Sequence, residues 1–173
     1  MDILWSPWRF NYVTESSKRK GEGKCIFCEI PNFSDEEKYV LYRGNLSYSV
    51  LNLYPYNTGH LMVVPYRHVP SLDLLRDEEM LEIFKQIRAA LRAVREVYSP
   101  DGFNVGVNIG RSAGAGVESH VHIHVVPRWV GDSNFMVITA NVKVMPETLN
   151  NTYFKLKSRL NSLIGSDEVV FDR

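Results

Sequence analysis

The sequence contains the run His120-Val121-His122-Ile123-His124-Val125-Val126. Histidine alternates strictly with β-branched residues, which is the period-two pattern of a β-strand with one buried face. The pattern predicts that Val121, Ile123 and Val125 point into a core and that the three histidines stand in a row on the other face. Solvated strand faces ordinarily use Lys, Glu or Thr, so the histidine row indicates chemistry rather than a polar surface.

Strand geometry limits what the histidine row can bind. At about 3.3 Å per residue, the backbones of His120 and His124 are roughly 13 Å apart. One metal ion, which lies about 2.0–2.1 Å from each ring nitrogen, can bind histidines two residues apart but hardly all three. We therefore expect the three histidines to divide their roles.

Length and composition favour one globular domain. The chain has 173 residues, of which 45% are hydrophobic, and its 20 basic residues balance 20 acidic ones. This balance of charge disfavours binding to nucleic acid or to an anionic membrane. Met1–Trp5 lacks the basic and apolar regions of a signal peptide, and no apolar run approaches the ~20 residues that span a bilayer. We therefore expect a cytoplasmic protein.

Hydrophobic periodicity predicts most of the secondary structure. Five short strands are expected at residues 39–42, 47–53, 60–64, 103–109 and 120–126. Residues 77–98 have the clearest helical pattern, with charged residues such as Glu82 on the face expected to meet water. The apolar face of this helix consists of Met80, Ile83, Phe84, Ile87, Leu91 and Val94. Residues 146–163 have the spacing of a second amphipathic helix.

Two further motifs accompany the histidine row. Gly59-His60-Leu61-Met62-Val63-Val64-Pro65 is followed by His68, and Asn108-x-Gly110-x-x-x-Gly114 precedes the row. Together with the His-x-His-x-His run and its apolar spacers, these motifs resemble the signature of the histidine triad (HIT) family of nucleotide hydrolases and transferases. The resemblance covers roughly residues 25 to 130, in the order and spacing of the family.

The resemblance, together with the predicted elements, implies an α+β, HIT-like fold. We expect a meandering antiparallel sheet of about five strands, with one long central helix and a C-terminal helix. Residues 1–173 would form a single histidine triad domain, with an N-terminal aromatic arm and mobile loop at 1–24, a core at 25–130 and a C-terminal extension at 131–173. Members of the family usually dimerise, which implies a homodimer or a higher homo-oligomer.

The motif Cys25-Ile26-Phe27-Cys28 allows three interpretations. The cysteines could be buried core thiols, a redox pair or half of a zinc site. A thioredoxin-like redox pair requires a helix N-terminus within a βαβ unit, which the sequence does not suggest. Zinc requires four ligands, and the resemblance supplies the missing two at His68 and His120. The resemblance thus implies a structural zinc ion and no organic cofactor.

The histidine row is suited to phosphate chemistry. A neutral imidazole is a competent nucleophile near pH 7, because its unperturbed pKa is about 6.5. Its attack on an α-phosphorus gives a covalent nucleotidyl-histidine and divides one difficult displacement into two easier ones. In the family the middle histidine, here His122, is the nucleophile. The resemblance further implies that His124 donates to the phosphate oxygens and that His60 supports the histidine cluster.

The candidate substrate-binding residues lie in two segments. Asn52 is either a turn residue or, by the resemblance, a ligand of the ribose hydroxyls. The glycine-rich loop before the triad can wrap a phosphate with backbone N–H groups, although a simple hairpin connection has the same composition. With His124, the phosphate-binding candidates are Asn108, Gly110, Gly114, Ala115 and Gly116. Many relatives have Gly-Gln-Ser or Gly-Gln-Thr before the triad, whereas this loop is one residue longer and lacks that amide.

The expected function is nucleotidyl transfer on a small-molecule nucleotide. The segments Leu4–Arg9 and Gly131–Met136 resemble the bacterial diadenosine tetraphosphate phosphorylase branch of the family, which implies phosphorolysis of diadenosine tetraphosphate to ATP and ADP. One alternative is a hydrolase of dinucleoside polyphosphates or nucleoside phosphoramidates that releases AMP. A second is a zinc-stabilised nucleotide-binding adaptor with little turnover, for which the middle histidine of the row would be unnecessary.

Overall fold

An antiparallel sheet of five strands organises the part of the chain that the computed structural model describes, residues 25–133, 135–140 and 142–166. The predicted aromatic arm and loop at residues 1–24 lie outside the described residues. The strands are β1 (Val40–Arg43), β2 (Ser47–Leu51), β3 (Leu61–Pro65), β4 (Gly102–Val107) and β5 (Ile123–Arg128). The predicted α+β architecture is confirmed.

The strand order is β1-β2-β3-β5-β4, so the sheet departs from a simple meander at one point. After β3 the chain crosses to the edge of the sheet, forms β4 there, and returns as β5 between β3 and β4. β5 consequently has a partner on each side: Met62 of β3 and Gly106 of β4 both pair with His124. The last histidine of the triad is thereby held in the interior of the sheet.

Five helices accompany the sheet in the described part of the chain. They are α1 (Ile26–Glu29), α2 (Asp35–Lys38), α3 (Asp77–Tyr98), α4 (Phe135–Thr139) and α5 (Leu149–Ser166). The bounds of α3 agree with the prediction, and those of α5 differ from it by three residues at each end. The short helices α1, α2 and α4 were not predicted. No helix among the described residues is long and apolar enough to cross a membrane.

The two faces of the sheet bury different sets of residues. Leu41, Leu51 and Val63 lie in the larger core, together with the inner faces of α3 and α5. On the opposite face, Val50 and Val64 pack with Phe27 of α1 in a smaller core. This alternation follows from the period-two geometry of strands. The smaller core places the segment that contains both cysteines on the same side as the histidines.

The inner face of α3 differs from the predicted one. Met80 and Phe84 were expected in the core but are 37% and 63% exposed. Their places are taken by smaller or polar side chains that let the helix lie close to the sheet; the buried residues of α3 are Glu79, Ile83, Gln86, Ile87, Ala89, Ala90, Ala93 and Val94. Gln86 is satisfied there, because its Nε2 donates to the Ser47 carbonyl over 3.1 Å.

Glu82 was expected to face water but instead binds the β1–β2 turn. Its carboxylate accepts hydrogen bonds from the backbone N–H groups of Leu46 (3.0 Å) and Ser47 (2.8 Å). The hydroxyl of Ser47 also donates to it over 2.7 Å. A single helical carboxylate thus satisfies the donors of a turn more than thirty residues earlier in the chain.

The C-terminal helix α5 covers the sheet beside β1. Tyr153, Leu156 and Leu160 are at most 2% exposed, in agreement with the predicted amphipathic helix. Two polar side chains fix the helix to β1: Nζ of Lys157 donates to the carbonyl of Val40 over 3.1 Å, and Nδ2 of Asn161 donates to that of Leu41 over 2.9 Å.

Candidate active site and metal cluster

The histidine row spans the start of β5 rather than lying entirely within it. Paired residues begin at Ile123, so the prediction of a strand from residue 120 was wrong for its first three residues. The backbone N–H of Val121 instead donates to the carbonyl of Val69 over 2.7 Å. His120 and His122 therefore stand on a segment that extends the line of the strand but bonds to a different part of the chain.

The first two histidines of the row are buried beneath α1. His120 is 0% exposed and His122 is 4% exposed. The ring of Phe27, which lies between the two cysteines in sequence, packs on both imidazoles, with centroid distances of 5.6 Å to His120 and 4.8 Å to His122. Sequence reasoning did not identify Phe27 as part of the site, although it lies within the Cys-x-x-Cys motif. It shields the two rings from water.

Four candidate metal ligands converge at one end of the row. Nδ1 of His120 lies 3.3 Å from Sγ of Cys25 and 3.5 Å from Sγ of Cys28, whose Sγ is also 3.3 Å from Nδ1 of His68. The ligand atoms of all four residues lie within 4.8 Å of one another. The structure therefore brings together the four residues that were predicted to form a metal site.

The chemistry of this cluster suits a tetrahedral zinc ion. Zn–S and Zn–N bonds of about 2.3 and 2.0–2.1 Å place tetrahedral ligand atoms roughly 3.5 Å apart. The Nε2–H of His120 donates to the carbonyl of Pro65 over 2.9 Å, since a carbonyl can only accept. This bond leaves the Nδ1 lone pair of His120 directed at the thiols, and metal-bound histidines usually have such an outer partner.

The tautomer of His122 is fixed by the backbone. Its Nδ1 lies 2.9 Å from the carbonyl oxygen of His120 and must therefore carry the proton. The other ring nitrogen, Nε2, is left with its lone pair. Burial lowers the pKa of His122, so the ring is neutral near pH 7. A neutral imidazole with a free Nε2 lone pair is the form that can attack phosphorus.

The tautomers of His60 and His124 are fixed by a chain of hydrogen bonds. The backbone N–H of Tyr56 donates to Nδ1 of His60 over 3.0 Å, which places the proton of His60 on Nε2. That Nε2 lies 3.0 Å from Nδ1 of His124 and donates to it. His124 must then carry its own proton on Nε2. A backbone amide two hydrogen bonds away thus makes His124 a donor.

Burial keeps this pair of imidazoles uncharged. It lowers the pKa of His60 to about 3, with a further contribution from His124, and it lowers the pKa of His124 to about 4. The ring of Tyr56 covers the pair, with its centroid 4.6 Å from that of His60 and 5.9 Å from that of His124. The tautomers assigned above therefore persist at neutral pH.

A cleft of about 440 Å³ opens beside His124. Of the predicted site residues, His124 and Asn108 line it. The other cleft residues include several that sequence reasoning did not identify as part of the site, among them Tyr56, Asn57, Asn104, Arg128, Asp132 and Lys143. Asp132 belongs to the Gly131–Met136 segment noted above, but no local motif marks the others, because they come from separate parts of the chain.

The remaining substrate-binding candidates, Asn52 and the glycine-rich loop, do not line this cleft. Oδ1 of Asn52 accepts from the N–H of Tyr54 over 2.9 Å, which is the turn that composition suggested, and its Nδ2 lies 3.5 Å from Nε2 of His60. The glycine-rich loop is held by Gly110 and Gly114 with φ values of +78° and +83°. Such values favour glycine. Ala115 and Gly116 are only partly exposed to solvent.

The sheet and the buried histidine row define an α+β protein with a histidine-triad site. The model of the HIT domain family matches residues 34–130. The chain is 49% identical over 154 residues to the AP-4-A phosphorylase of Mycobacterium tuberculosis, covering 86% of this chain and 79% of that protein. The chain therefore belongs to the HIT domain family, a family of nucleotide-processing enzymes.

Two further similarities come from a curated relative and a solved structure. A bis(5'-nucleosyl)-tetraphosphatase (asymmetrical) of Schizosaccharomyces pombe is 38% identical over 93 residues, covering 54% of this chain and 50% of that protein. The crystal structure of a Zn-bound histidine triad family protein from Mycobacterium smegmatis superposes with a TM-score of 0.66. It is 26% identical and covers 84% of this chain and 99% of the other.

Proposed function

We propose that the protein is a nucleotidyltransferase that cleaves diadenosine tetraphosphate by phosphorolysis and releases ATP and ADP. The observation that carries the proposal is the 2.9 Å hydrogen bond from Nδ1 of His122 to the carbonyl of His120, which leaves Nε2 free to attack. The choice of substrate is supported by the 49% identity to the mycobacterial AP-4-A phosphorylase.

The reaction has two displacements at the same phosphorus. Nε2 of His122 attacks an α-phosphorus, the N–P bond forms, and the P–O bond to the remaining phosphates breaks, so that ATP leaves with the electron pair. An oxygen of orthophosphate then attacks the adenylyl phosphorus, the N–P bond breaks, and ADP leaves. The sum is diadenosine tetraphosphate plus hydrogen phosphate to ATP plus ADP, with one proton released near neutral pH.

The neighbouring residues have separate roles in this mechanism. His124, protonated on Nε2, donates to the phosphate oxygens as charge develops in the transition state. His60 is a positioning residue that sets the tautomer of His124. Asn52 binds the ribose hydroxyls with the part of its amide that the turn leaves free. The phosphates are further bound by Asn108 and by backbone N–H groups of Gly110 and Gly116. The N–H groups of Gly114 and Ala115, which were also candidates, instead donate to the carbonyls of Arg111 (3.0 Å) and Gly110 (3.4 Å).

We also propose that Cys25, Cys28, His68 and His120 hold one structural zinc ion. Support comes from the convergence of their ligand atoms and from the zinc-bound relative of M. smegmatis. Four protein ligands close the tetrahedron and leave no position for water or substrate, so zinc would contribute folding free energy rather than chemistry. In this role zinc would join the segment of the two cysteines to the histidine row.

Hydrolysis is the second candidate function, and the similarity to the tetraphosphatase of S. pombe favours it. The two functions share the first displacement and differ only in whether water or orthophosphate attacks the adenylyl group. Turnover of diadenosine tetraphosphate with ³²P-labelled orthophosphate distinguishes them. Labelled ADP is the expected product, whereas unlabelled AMP at saturating orthophosphate would identify a hydrolase.

The covalent intermediate is tested by a denaturing alkaline quench in a single turnover without orthophosphate. An adenylyl group on His122 should remain on the protein in base and be lost in acid. Absence of labelled protein at every quench time, with substrate consumed, would indicate direct displacement. Retention of tightly bound but uncleaved dinucleotide would instead support a nucleotide-binding adaptor.

We further propose that residues 1–173 form one domain that assembles as a homodimer in the cytoplasm. The outer side of the edge strand β4 and the exposed apolar side chain of Phe84 suit a symmetric interface. Two free thiols in a Cys-x-x-Cys motif suit a reducing compartment. Sedimentation equilibrium of the full chain should give twice the monomer mass, and the monomer mass at micromolar concentration would contradict the assembly.

A further inference from the structure

The cleft beside His124 receives residues from beyond the family's matched region. The HIT domain match ends at residue 130, but Asp132, Ser133 and Lys143 also line the cleft. These residues belong to the C-terminal extension. The extension therefore contributes polar and charged side chains to the cleft, as well as the helix that covers the sheet.

Lys143 is held in the cleft through Asp132. Its Nζ donates to the backbone carbonyl of Asp132 over 3.1 Å. The carboxylate of Asp132 is fixed in turn by Nε of Arg128 at 2.6 Å and by Nδ2 of Asn57 at 2.7 Å. The extension is thus bonded both to the end of β5 and to the loop before β3, and Lys143 is positioned by those bonds.

The charges that line the cleft do not balance. Arg128 and Asp132 neutralise each other, and another guanidinium nitrogen of Arg128 donates to Oδ1 of Asn104 over 2.6 Å. Among the described residues that line the cleft, Lys143 is the cation left without an acidic side chain of its own. Burial lowers the pKa of Lys143, and the charge of Arg128 adds to this effect while that of Asp132 opposes it. A bound anion would relieve both penalties.

We propose that Lys143 binds the phosphates that are not transferred: first the leaving polyphosphate of the dinucleotide, then the orthophosphate acceptor. The inference rests on the proposed function. In each in-line displacement the group opposite Nε2 of His122 is the one that leaves or enters. The leaving phosphate and the acceptor phosphate therefore occupy the same region in turn. A lysine is a mobile point charge that suits phosphates in slightly different positions.

Lys143→Gln tests the subsite, and Lys85→Gln, an exposed position on α3, is the matched control. The two substrates are diadenosine tetraphosphate and adenosine 5'-phosphoramidate, whose leaving ammonia carries no phosphate. For Lys143→Gln we expect kcat/KM for the tetraphosphate to fall at least about tenfold, equivalent to roughly 1.4 kcal/mol. Single-turnover adenylylation by the phosphoramidate should fall less than about threefold.

The second arm of the experiment tests the acceptor. It uses the phosphoramidate as substrate and varies the concentration of orthophosphate. The KM for orthophosphate should rise about tenfold in Lys143→Gln, and Lys143→Arg should restore most of both losses. Equal losses with both substrates, a change in only one arm, or no difference from Lys85→Gln would each overturn the shared subsite. Equal melting temperatures of the variants exclude misfolding as the cause.

Calorimetric binding of inorganic tripolyphosphate separates the subsite from the proposed function. Its Kd should rise about tenfold in Lys143→Gln but not in Lys85→Gln, whether or not the protein turns over a dinucleotide. If the wild-type protein is adenylylated by neither substrate, the proposed function fails. If the wild type is active and tripolyphosphate binding is the same in all variants, the subsite alone fails.

Discussion

Nε2 of His60 lies 3.0 Å from Nδ1 of His124, and this bond determines which nitrogen of His124 carries the proton. His60 is 1% exposed and receives its own hydrogen bond from the backbone N–H of Tyr56. Because that N–H is part of the main chain, no substitution at residue 56 other than proline removes it. The donor that faces the substrate is thus set by the backbone, through one intervening imidazole.

Replacing His60 with Gln should lower kcat roughly 10–100-fold, the usual cost of losing an orienting hydrogen bond. KM should change little, because in our proposal His60 acts through His124 and does not contact the substrate. Steady-state kinetics with diadenosine tetraphosphate measures both. Thr58→Val is a matched control, since Oγ1 of Thr58 is buried and has no hydrogen-bond partner in the described structure. An effect on KM alone would contradict the orienting role.

Stability should fall as the pH is lowered through the range in which histidines gain protons in the unfolded state but stay neutral in the folded one. The pKa values of His60 and His124 are lowered to about 3 and about 4 in the folded protein, whereas an unfolded histidine titrates near 6.5. The unfolded state therefore binds more protons as the pH drops from about 6.5 to about 4. Each histidine should reduce the free energy of unfolding by up to about 1.4 kcal/mol per pH unit.

Urea unfolding at several pH values measures this slope. His60→Gln removes one of the two groups, so its slope between about pH 4 and pH 6 should be shallower than that of the wild type. The difference between the two proteins is informative because other acid-sensitive groups, including Cys25, Cys28, His68 and His120, are common to both. Identical slopes would show that His60 is not buried in its neutral form.

His122→Ala should abolish turnover while leaving nucleotide binding largely intact. The ring supplies the nucleophile in our mechanism, whereas Asn52→Ala removes only a binding contact and should raise KM with a much smaller effect on kcat. Kinetics, together with equilibrium binding of a non-hydrolysable dinucleotide, compares the two variants. Near-normal kcat in His122→Ala with an unactivated substrate would rule out the covalent mechanism.

Chelation should lower the melting temperature of the protein. Binding energy at a closed structural site is folding energy, so Cys28→Ser should be destabilised in the same way as the chelated wild type yet remain active while folded. Elemental analysis should find one zinc per chain. Less than about a tenth of an equivalent, with unchanged stability in chelator, would return Cys25 and Cys28 to the interpretation of core thiols.

Glu82→Ala should destabilise the protein by roughly 2–3 kcal/mol, because it leaves the backbone donors of the β1–β2 turn without their charged acceptor. Thermal or urea unfolding measures the loss, and Lys85→Ala on the exposed face of the same helix should change stability by less than about 0.5 kcal/mol. Similar effects of the two substitutions would mean that water replaces the Glu82 carboxylate at no cost.

The elements that the sequence predicted best are those with a local cause. The bounds of α3 follow from its periodicity, from the acidic residues of its first turn and from Ser99-Pro100, which stops it. The outcome at Met80, Phe84 and Glu82 was different, because their environment depends on a turn and a strand that are distant in sequence. Periodicity alone cannot reveal that a helical carboxylate has backbone partners elsewhere.

The candidate site shows the same division. The resemblance to the HIT family added His68 and His120 to the Cys25–Cys28 motif, and the structure places all four together. The cleft residues Arg128, Asp132 and Lys143 were not identified, because their proximity to His124 arises from a chain path that no spacing rule describes. The role of Asp132 in the cleft is evident only from its hydrogen bonds to Arg128 and Asn57.

His120 belongs to two assemblies at once: its Nδ1 faces the cysteines, and its carbonyl oxygen holds Nδ1 of His122. A substitution at residue 120 can therefore disturb both assemblies. A related protein without the Cys25–Cys28–His68–His120 cluster would still need the backbone of residue 120 in place to orient His122. We therefore expect relatives that lack Cys25 and Cys28 to have different side chains packed around residue 120.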